Sequence, residues 1–170
     1  MFVDDVRTLA AKQEITEALH RYARAVDRLD RDLMETLWHE GATVAYDDLF
    51  KGTAIDSIDW IWRAHQDKTK RSVHCVTNVL VEVNGDTAAS ECYMFTTLRD
   101  QVGGKLVDFM SWGRYVDHWS YRDDRWRIDR RVFVTDIVNI VDIADSPATD
   151  VFGTASRMDR TDPSYAAMTI

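Results

Sequence analysis

The chain has 170 residues, of which 45% are hydrophobic and 11% aromatic, enough for one domain to bury a core of its own. Its formal net charge is −8, and no basic cluster offsets it. This charge argues against nucleic acid or an anionic membrane surface as the main partner.

The two cysteines, Cys75 and Cys92, stand in no zinc-binding spacing, and free thiols suit a reducing compartment. Residues 1–5 are too acidic for a signal peptide, and no apolar run approaches the ~18 residues of a membrane span. We therefore expect a cytoplasmic protein with no nucleic-acid or membrane partner.

The chain begins with a helical pattern. Residues 4–29 contain no Gly or Pro, and their apolar residues recur at about 3.6-residue spacing. This pattern predicts one long amphipathic helix, with Asp4 and Asp5 at its start. Asp30 is the predicted N-cap of a second, short helix, which Gly41 is predicted to end.

A short strand, 42–46, is predicted next, followed by a loop over residues 47–52. Thr53 then begins a third helix, because Asp56 completes a capping box with it. This helix is predicted to fade near Gln66.

The rest of the chain changes to the period of two that is typical of β-strands. Turn residues at 84–86, 103–104 and 122–124 separate long runs rich in β-branched and aromatic residues. The predicted strands are 72–83, 87–100, 106–121 and 125–141. A single domain is predicted over residues 1–142, and residues 143–170 are predicted to form an irregular tail.

Helices that precede an antiparallel run of long strands predict an α+β fold. Long strands twist and curl, and a curled sheet with helices over its concave face forms a cone with one open mouth. His74, on the first long strand, is predicted to face this cavity. The opposite face of that strand is predicted to be apolar and to meet a partner subunit, with Val73, Val79, Val81 and Val83 on it.

Several short segments form a specific combination. Ala25-Val26-Asp27 lies near the end of the first helix, and Ser72-Val73-His74-Cys75-Val76-Thr77-Asn78 begins the first long strand. Tyr22 lies five residues before the aspartate, Tyr46 ends the short strand, and Arg131 follows the sequence Trp-Arg-Ile-Asp-Arg. The combination resembles the SnoaL-like branch of the nuclear-transport-factor-2-like (NTF2-like) superfamily, over about residues 7–140. It is most similar to three groups of lyases: bile-acid 7α-dehydratases, scytalone dehydratases and hexachlorocyclohexane dehydrochlorinases.

The resemblance implies a cone-shaped α+β barrel in which Asp27, His74 and Tyr22 are catalytic and Tyr46 and Arg131 bind the substrate. It implies a cofactor-independent lyase, without a metal, that eliminates a hydroxyl or halide from a hydrophobic ring compound. His74, supported by Asp27, would take the proton. The resemblance to relatives of this type implies a homo-oligomer, with a trimer favoured over a dimer.

Each candidate also has a purely structural interpretation. A single histidine on a strand is commonly structural, and Asp27 can pair with Arg31 at i,i+4 on the helix surface. Tyr22 and Tyr46 can be plain core residues. Scytalone dehydratases have a further active-site histidine, for which His118 is only a weak candidate here.

Arg131 can hold a substrate oxygen or a developing anion. It can equally form a salt bridge to Asp129, Glu91 or the tail. Side chains alternate along a strand, so a bulge in this one would exchange Arg131 with Arg130.

Two other functions remain open on the same scaffold: an isomerase or polyketide cyclase, and a non-catalytic binding or assembly subunit like the small subunits of ring-hydroxylating dioxygenases. An Asp–His pair beside a solvent-reachable cavity favours an enzyme. A cavity filled by aromatic side chains favours an assembly role.

Overall fold

The computed structural model describes residues 6–143 and 156–168. In these ranges the helices are α1 (Val6–Asp27), α2 (Arg31–Glu35), α3 (Ala54–Lys68) and α4 (Ser164–Ala167). The strands are β1 (Trp38–Tyr46), β2 (Phe50–Thr53), β3 (Thr69–Asn84), β4 (Thr87–Val102), β5 (Lys105–Arg122) and β6 (Arg125–Ile143). The predicted capping residues Asp4 and Asp5 lie outside the described residues, and so do 144–155 and 169–170 of the predicted tail.

The six strands form one curled, unclosed sheet in the order β2-β1-β6-β5-β4-β3. Neighbouring strands are antiparallel except β1 and β6, which are parallel. Helix α1 packs against β3, and α3 packs against β1 and β2, so that helices and sheet share one core. The predicted α+β cone is confirmed, and strands of up to 19 residues explain why the sheet curls.

Two predicted helix starts are confirmed by their side-chain hydrogen bonds. Asp30 Oδ1 accepts from the Leu33 backbone N–H at 3.2 Å before α2. Thr53 Oγ1 accepts from the Asp56 backbone N–H at 3.2 Å before α3. Both contacts satisfy N–H groups that have no partner inside the helix.

The prediction that Gly41 ends α2 is wrong. Helix α2 ends at Glu35, and Gly41 lies within β1, where its φ of +77° falls in the left-handed region that favours glycine. The pairing of β1 with β6 shifts between Trp38 and Thr43. The glycine therefore serves a β-bulge instead of a helix end.

The predicted loop over residues 47–52 is partly a strand. Strand β2 forms a hairpin with β1, in which Tyr46 lies opposite Phe50. The Leu49 backbone N–H donates to the Tyr46 carbonyl at 2.8 Å and closes the turn. A strand of four residues is too short to display a period of two, so the sequence pattern did not indicate it.

The prediction for the outer face of β3 is wrong beyond Thr77. Asn78 has a φ of +50°, and the register with β4 shifts between Thr77 and Leu80, which marks a bulge. One extra residue exchanges the two faces of a strand. His74 points toward α1 before the bulge, whereas after it the core side of the strand carries Val79, Val81 and Val83.

Candidate active site

The C-terminal end of α1 fixes the position of Asp27, the last residue of the helix. The Leu29 N–H donates to the Val26 carbonyl at 3.2 Å, and the Asp30 N–H donates to the Ala25 carbonyl at 2.9 Å. These two bonds form a Schellman motif. Leu29 has a φ of +47°, which costs a non-glycine residue roughly 1–2 kcal/mol. The chain therefore turns away directly after Asp27, whose side chain stays beside β3.

Asp27 and His74 are in direct contact. Asp27 Oδ1 lies 2.7 Å from His74 Nδ1, and Asp27 Oδ2 accepts from the His74 backbone N–H at 3.0 Å. The Ser72 hydroxyl donates to Asp27 Oδ1 at 2.8 Å. Three donors from one strand therefore hold the carboxylate, and the two side chains are only 12% and 9% exposed for Asp27 and His74.

The contact decides which nitrogen of His74 is free. A carboxylate can only accept hydrogen bonds, so in the neutral imidazole Nδ1 carries the proton and Nε2 keeps a lone pair. His74 and Asp27 line an open depression of about 280 Å³, together with His20, Arg24 and Arg28. The structure therefore shows a mostly buried carboxylate–histidine contact that borders solvent.

The other three predicted site residues form a second cluster. The Tyr22 and Tyr46 hydroxyl oxygens lie 2.5 Å apart. The Arg131 guanidinium carbon lies 4.1 Å from the centre of the Tyr22 ring and 3.9 Å from that of Tyr115. Arg131 donates from Nε and Nη2 to the two oxygens of Asp117, at 2.8 and 2.7 Å. The ion pair is fully buried and has aromatic faces around it.

The pKa values of Tyr46 and Arg131 are both raised in this cluster. Burial raises the pKa of the Tyr46 phenol well above 10, and the Tyr22 hydroxyl acts in the same direction. Burial alone would lower the pKa of the Arg131 guanidinium, but the charge and hydrogen bonds of Asp117 outweigh it and raise that pKa well above its usual range. A protonated phenol beside a permanent cation can stabilise negative charge.

A bulge at Asp129 brings Arg131 to the inner face of β6. Ile128 lies opposite Trp119 and Arg130 opposite His118, so Asp129 is the extra residue. Ile128 and Arg131 are consequently both fully buried. The alternative partners considered for Arg131 bind elsewhere: Asp129 pairs with Arg122, and Glu91 pairs with Arg114.

Two further alternatives do not hold in the structure. Arg31 pairs with Glu35 and Asp59, each at 2.7 Å, and not with Asp27. His118 is exposed and lines a separate depression with Asp129, on the opposite side of β5 from the buried Asp117. His118 therefore does not supply a second histidine to the Asp27–His74 pair.

The two clusters are separate within the described residues. No hydrogen bond or ion pair between those residues joins the Asp27–His74 pair to Tyr22, Tyr46 or Arg131. The reason lies in the helix, because Tyr22 and Asp27 are five residues apart and point about 140° from each other.

Three residues near the site were not predicted. Ser72 shares the face of His74, and the period of two could have indicated it. Asp117 could be found only from the register of β5 with β6. His65, on α3, is 7% exposed, and its Nδ1 atom donates to the Ile61 carbonyl at 2.9 Å. Its Nε2 atom has no hydrogen-bond partner among the described residues.

Residues 6–143 and 156–168 contain no group of three or more His, Cys, Asp or Glu arranged to hold a metal ion. Within the same ranges, no helix is both long and apolar enough to cross a membrane.

The SnoaL-like domain family matches residues 7–132 of the chain. A scytalone dehydratase-like protein from Novosphingobium aromaticivorans has the same fold, with a TM-score of 0.69 at 19% identity, over 78% of this chain and 88% of that chain. A hexachlorocyclohexane dehydrochlorinase from Novosphingobium barchaimii gives a TM-score of 0.73 at 14% identity, over 84% and 97% of the two chains.

An NTF2-like superfamily protein from Salmonella enterica gives a TM-score of 0.68 at 19% identity, over 76% and 94% of the two chains. At these identities the likeness shows the fold alone. No curated protein matches the chain in sequence. The resemblance to the SnoaL-like and NTF2-like proteins that the sequence predicts is confirmed.

Proposed function

The chain belongs to the SnoaL-like domain family, and we propose that it is a cytoplasmic, cofactor-independent lyase that eliminates water or hydrogen halide from a hydrophobic cyclic small molecule. One observation carries the proposal: the 2.7 Å contact between Asp27 Oδ1 and His74 Nδ1 at the edge of an open depression. The names of the scytalone dehydratase-like and dehydrochlorinase structures support this reaction class, and it is proposed for this chain on that basis.

His74 is the proposed general base. Its Nε2 atom removes a proton from a carbon next to an activating group, such as a ketone. Asp27 keeps the imidazole in the tautomer that leaves Nε2 free, and stabilises the imidazolium that forms. The Ser72 hydroxyl and the His74 backbone N–H hold the carboxylate in place, so Asp27 and Ser72 act through His74.

The Tyr22–Tyr46 pair is the proposed partner of the leaving group. The two hydroxyls are hydrogen-bonded to each other. Tyr46 remains protonated at neutral pH because burial raises its pKa. Arg131 has two of its nitrogens occupied by Asp117, and its Nη1 atom is buried without a partner among the described residues. Nη1 is therefore the atom proposed to donate a hydrogen bond to an oxygen of the substrate.

A homo-oligomer is proposed as the working form, a trimer or a dimer. Phe95, Trp112 and Ile137 are paired across β4, β5 and β6, and Phe95 and Ile137 are 39% and 52% exposed. Covering such a row of exposed apolar side chains with a second subunit removes apolar surface from water, which is favourable. Light scattering on the purified protein measures the subunit number, and a monomer at micromolar concentration contradicts this part.

Product formation tests the proposed reaction. Cyclic ketones that carry a hydroxyl or a chloride on the β-carbon are incubated with the protein, and the unsaturated product and released chloride are measured. The wild type should convert a member of this panel, and H74Q should be about 10²- to 10⁴-fold slower. H118Q, which changes an exposed histidine, is the matched control and should keep the wild-type rate. An H74Q protein as active as the wild type contradicts the proposal.

A further inference from the structure

Arg24 has a guanidinium edge that is buried and empty. It lies three residues before Asp27 on α1 and lines the same depression as His74. Its Nε and Nη2 atoms are both buried and have no hydrogen-bond partner among the described residues. A buried donor without an acceptor is destabilising, and more so when it is charged, so a ligand that supplies an acceptor would bind favourably at this edge.

The rest of the guanidinium is held in place. Arg24 Nη1 donates to the Ser164 hydroxyl at 2.8 Å, and the guanidinium carbon lies 4.6 Å from the centre of the Tyr165 ring. Both partners belong to the segment 156–168, which packs against α1. The contacts fix the plane of the guanidinium and leave the Nε–Nη2 edge as the unused one.

Two other arginines of this chain indicate what that edge binds. Arg99 donates from Nε and Nη2 to the two oxygens of Asp108, both at 2.7 Å. Arg131 uses the same pair of nitrogens for the two oxygens of Asp117. This side-on fork matches the geometry of a carboxylate.

The neighbouring acidic groups are engaged elsewhere. Glu17, which lines an adjoining depression with Arg24, accepts from Gln13 and Arg21 on its own helix. Asp27 is occupied by Ser72 and His74. Arg28, the second arginine of the depression, pairs with Asp162 at 3.3 Å, so Arg24 is the arginine left there without a carboxylate among the described residues.

We propose that the Nε–Nη2 edge of Arg24 binds a carboxylate of the ligand, so that the molecule bound beside His74 is a cyclic carboxylic acid. Arg24 and Asp27 lie on one face of α1, with about 5–6 Å between their Cβ atoms. Because Arg24, Asp27 and His74 line one depression, a ligand held by Arg24 would lie beside the Asp27–His74 pair. The carboxylate is a handle for binding and takes no part in the proton transfer. This substrate class rests on the proposed function, whereas the binding of the acid does not.

A matched pair of probes tests the assignment. Cyclohexanecarboxylate and cyclohexanecarboxamide have the same ring and nearly the same shape, but only the acid is charged. Calorimetric titration of the wild type should give an affinity for the acid about tenfold or more above that for the amide. R24Q should lose this preference. R63Q, which removes an exposed arginine on α3, should keep it.

A second measurement does not depend on a variant that folds. In the wild-type protein labelled with ¹⁵N-arginine, the acid should shift the Arg24 Nε–H signal, and the amide should not. Equal affinities for the two probes, no binding of the acid, or an R24Q protein that keeps the preference would each overturn the assignment.

The failures of the two proposals are distinguishable. H74Q should still prefer the acid, because His74 is not part of the proposed contact between Arg24 and the ligand carboxylate. If the acid is preferred but no ring ketone is converted, the lyase proposal fails alone. If ring ketones are converted without any preference for acids, the Arg24 assignment fails alone.

Discussion

Ser72 donates a hydrogen bond of 2.8 Å to Asp27 Oδ1, the same oxygen that accepts from His74 Nδ1 at 2.7 Å. Ser72 and His74 are two residues apart on β3, so their side chains point to the same face. The helix residue Asp27 is therefore tied to the strand by two side chains at once. In the proposed reaction Ser72 orients the carboxylate of Asp27, and Asp27 in turn orients the imidazole of His74.

Ser72→Ala should slow the reaction without abolishing it. The loss of one bond to a carboxylate should lower the free energy of unfolding by about 1–3 kcal/mol and reduce kcat about tenfold, because Asp27 keeps its bonds from His74. Urea unfolding and steady-state kinetics measure both effects. Ser57→Ala is the matched control, since Ser57 is an equally buried serine whose hydroxyl donates to the Ala54 carbonyl. If both variants lose the same activity, Ser72 has no positioning role.

Tyr22→Phe should separate proton removal from departure of the leaving group. If elimination is stepwise, the variant should still exchange solvent deuterium into the substrate, but form product about 100-fold more slowly. The physical reason is that the Tyr22–Tyr46 hydrogen bond is lost while the Asp27–His74 contact remains. Mass spectrometry follows exchange and product together. Tyr93→Phe, at an exposed position on β4, is the control. A parallel fall of both rates in Tyr22→Phe would contradict the assigned role.

Asp117→Ala should be strongly destabilising. It leaves the fully buried Arg131 cation without its partner, which typically costs about 3–5 kcal/mol. Asp86→Ala breaks the exposed Arg7–Asp86 pair and should change the free energy of unfolding by less than about 1 kcal/mol. Urea titrations of the two variants beside the wild type give the comparison. Similar small changes in both variants would mean that Asp117 does not compensate the buried charge.

His65 should make the protein less stable in acid. Burial lowers its pKa below the ordinary value of 6.5, and the nearby His74 acts in the same direction, while the Ile61 carbonyl and the carboxylates of Asp100 and Asp27 oppose the shift. In the unfolded chain the group takes up a proton near 6.5, but in the folded protein it does so only at lower pH. Above about pH 6.5 the neutral His65 therefore costs the folded protein no stability. As the pH falls below 6.5, the free energy of unfolding decreases, because the unfolded chain takes up the proton more readily.

The expected slope from this one group is at most about 1.4 kcal/mol per pH unit. His65→Gln should reduce the loss of unfolding free energy between about pH 8 and about pH 5, relative to the wild type. Urea titrations at several pH values measure the two slopes. Identical slopes in the two proteins would show that His65 does not contribute.

The long elements were predictable because their patterns repeat many times. The periodicity of α1 and the capping residues Asp30 and Thr53 are local signals, and the structure agrees with them to within a few residues. The bulges at Asn78 and Asp129 were harder to predict, because one extra residue changes the face of every later side chain without changing the composition. That is why Val79, Val81 and Val83 were predicted on the wrong face.

The contact of Asp27 with His74 was expected from the family resemblance, and a spacing of 47 residues alone does not indicate it. The partner of Arg131 could not be predicted, since Asp117 lies on the neighbouring strand and meets it only through the register of β5 with β6. The empty edge of Arg24 depends on where the segment 156–168 packs, which no periodicity in the sequence indicates.

The rate of deuterium exchange tests the central claim most directly. A cyclic ketone with a β-hydroxyl or β-chloride is incubated in D₂O with the wild type, His74→Gln or His118→Gln, and incorporation at the carbon next to the carbonyl is followed by NMR. The account predicts exchange by the wild type and His118→Gln, and a rate about 10²- to 10⁴-fold lower for His74→Gln. Exchange that is equally fast with His74→Gln would contradict the role of His74 as the base.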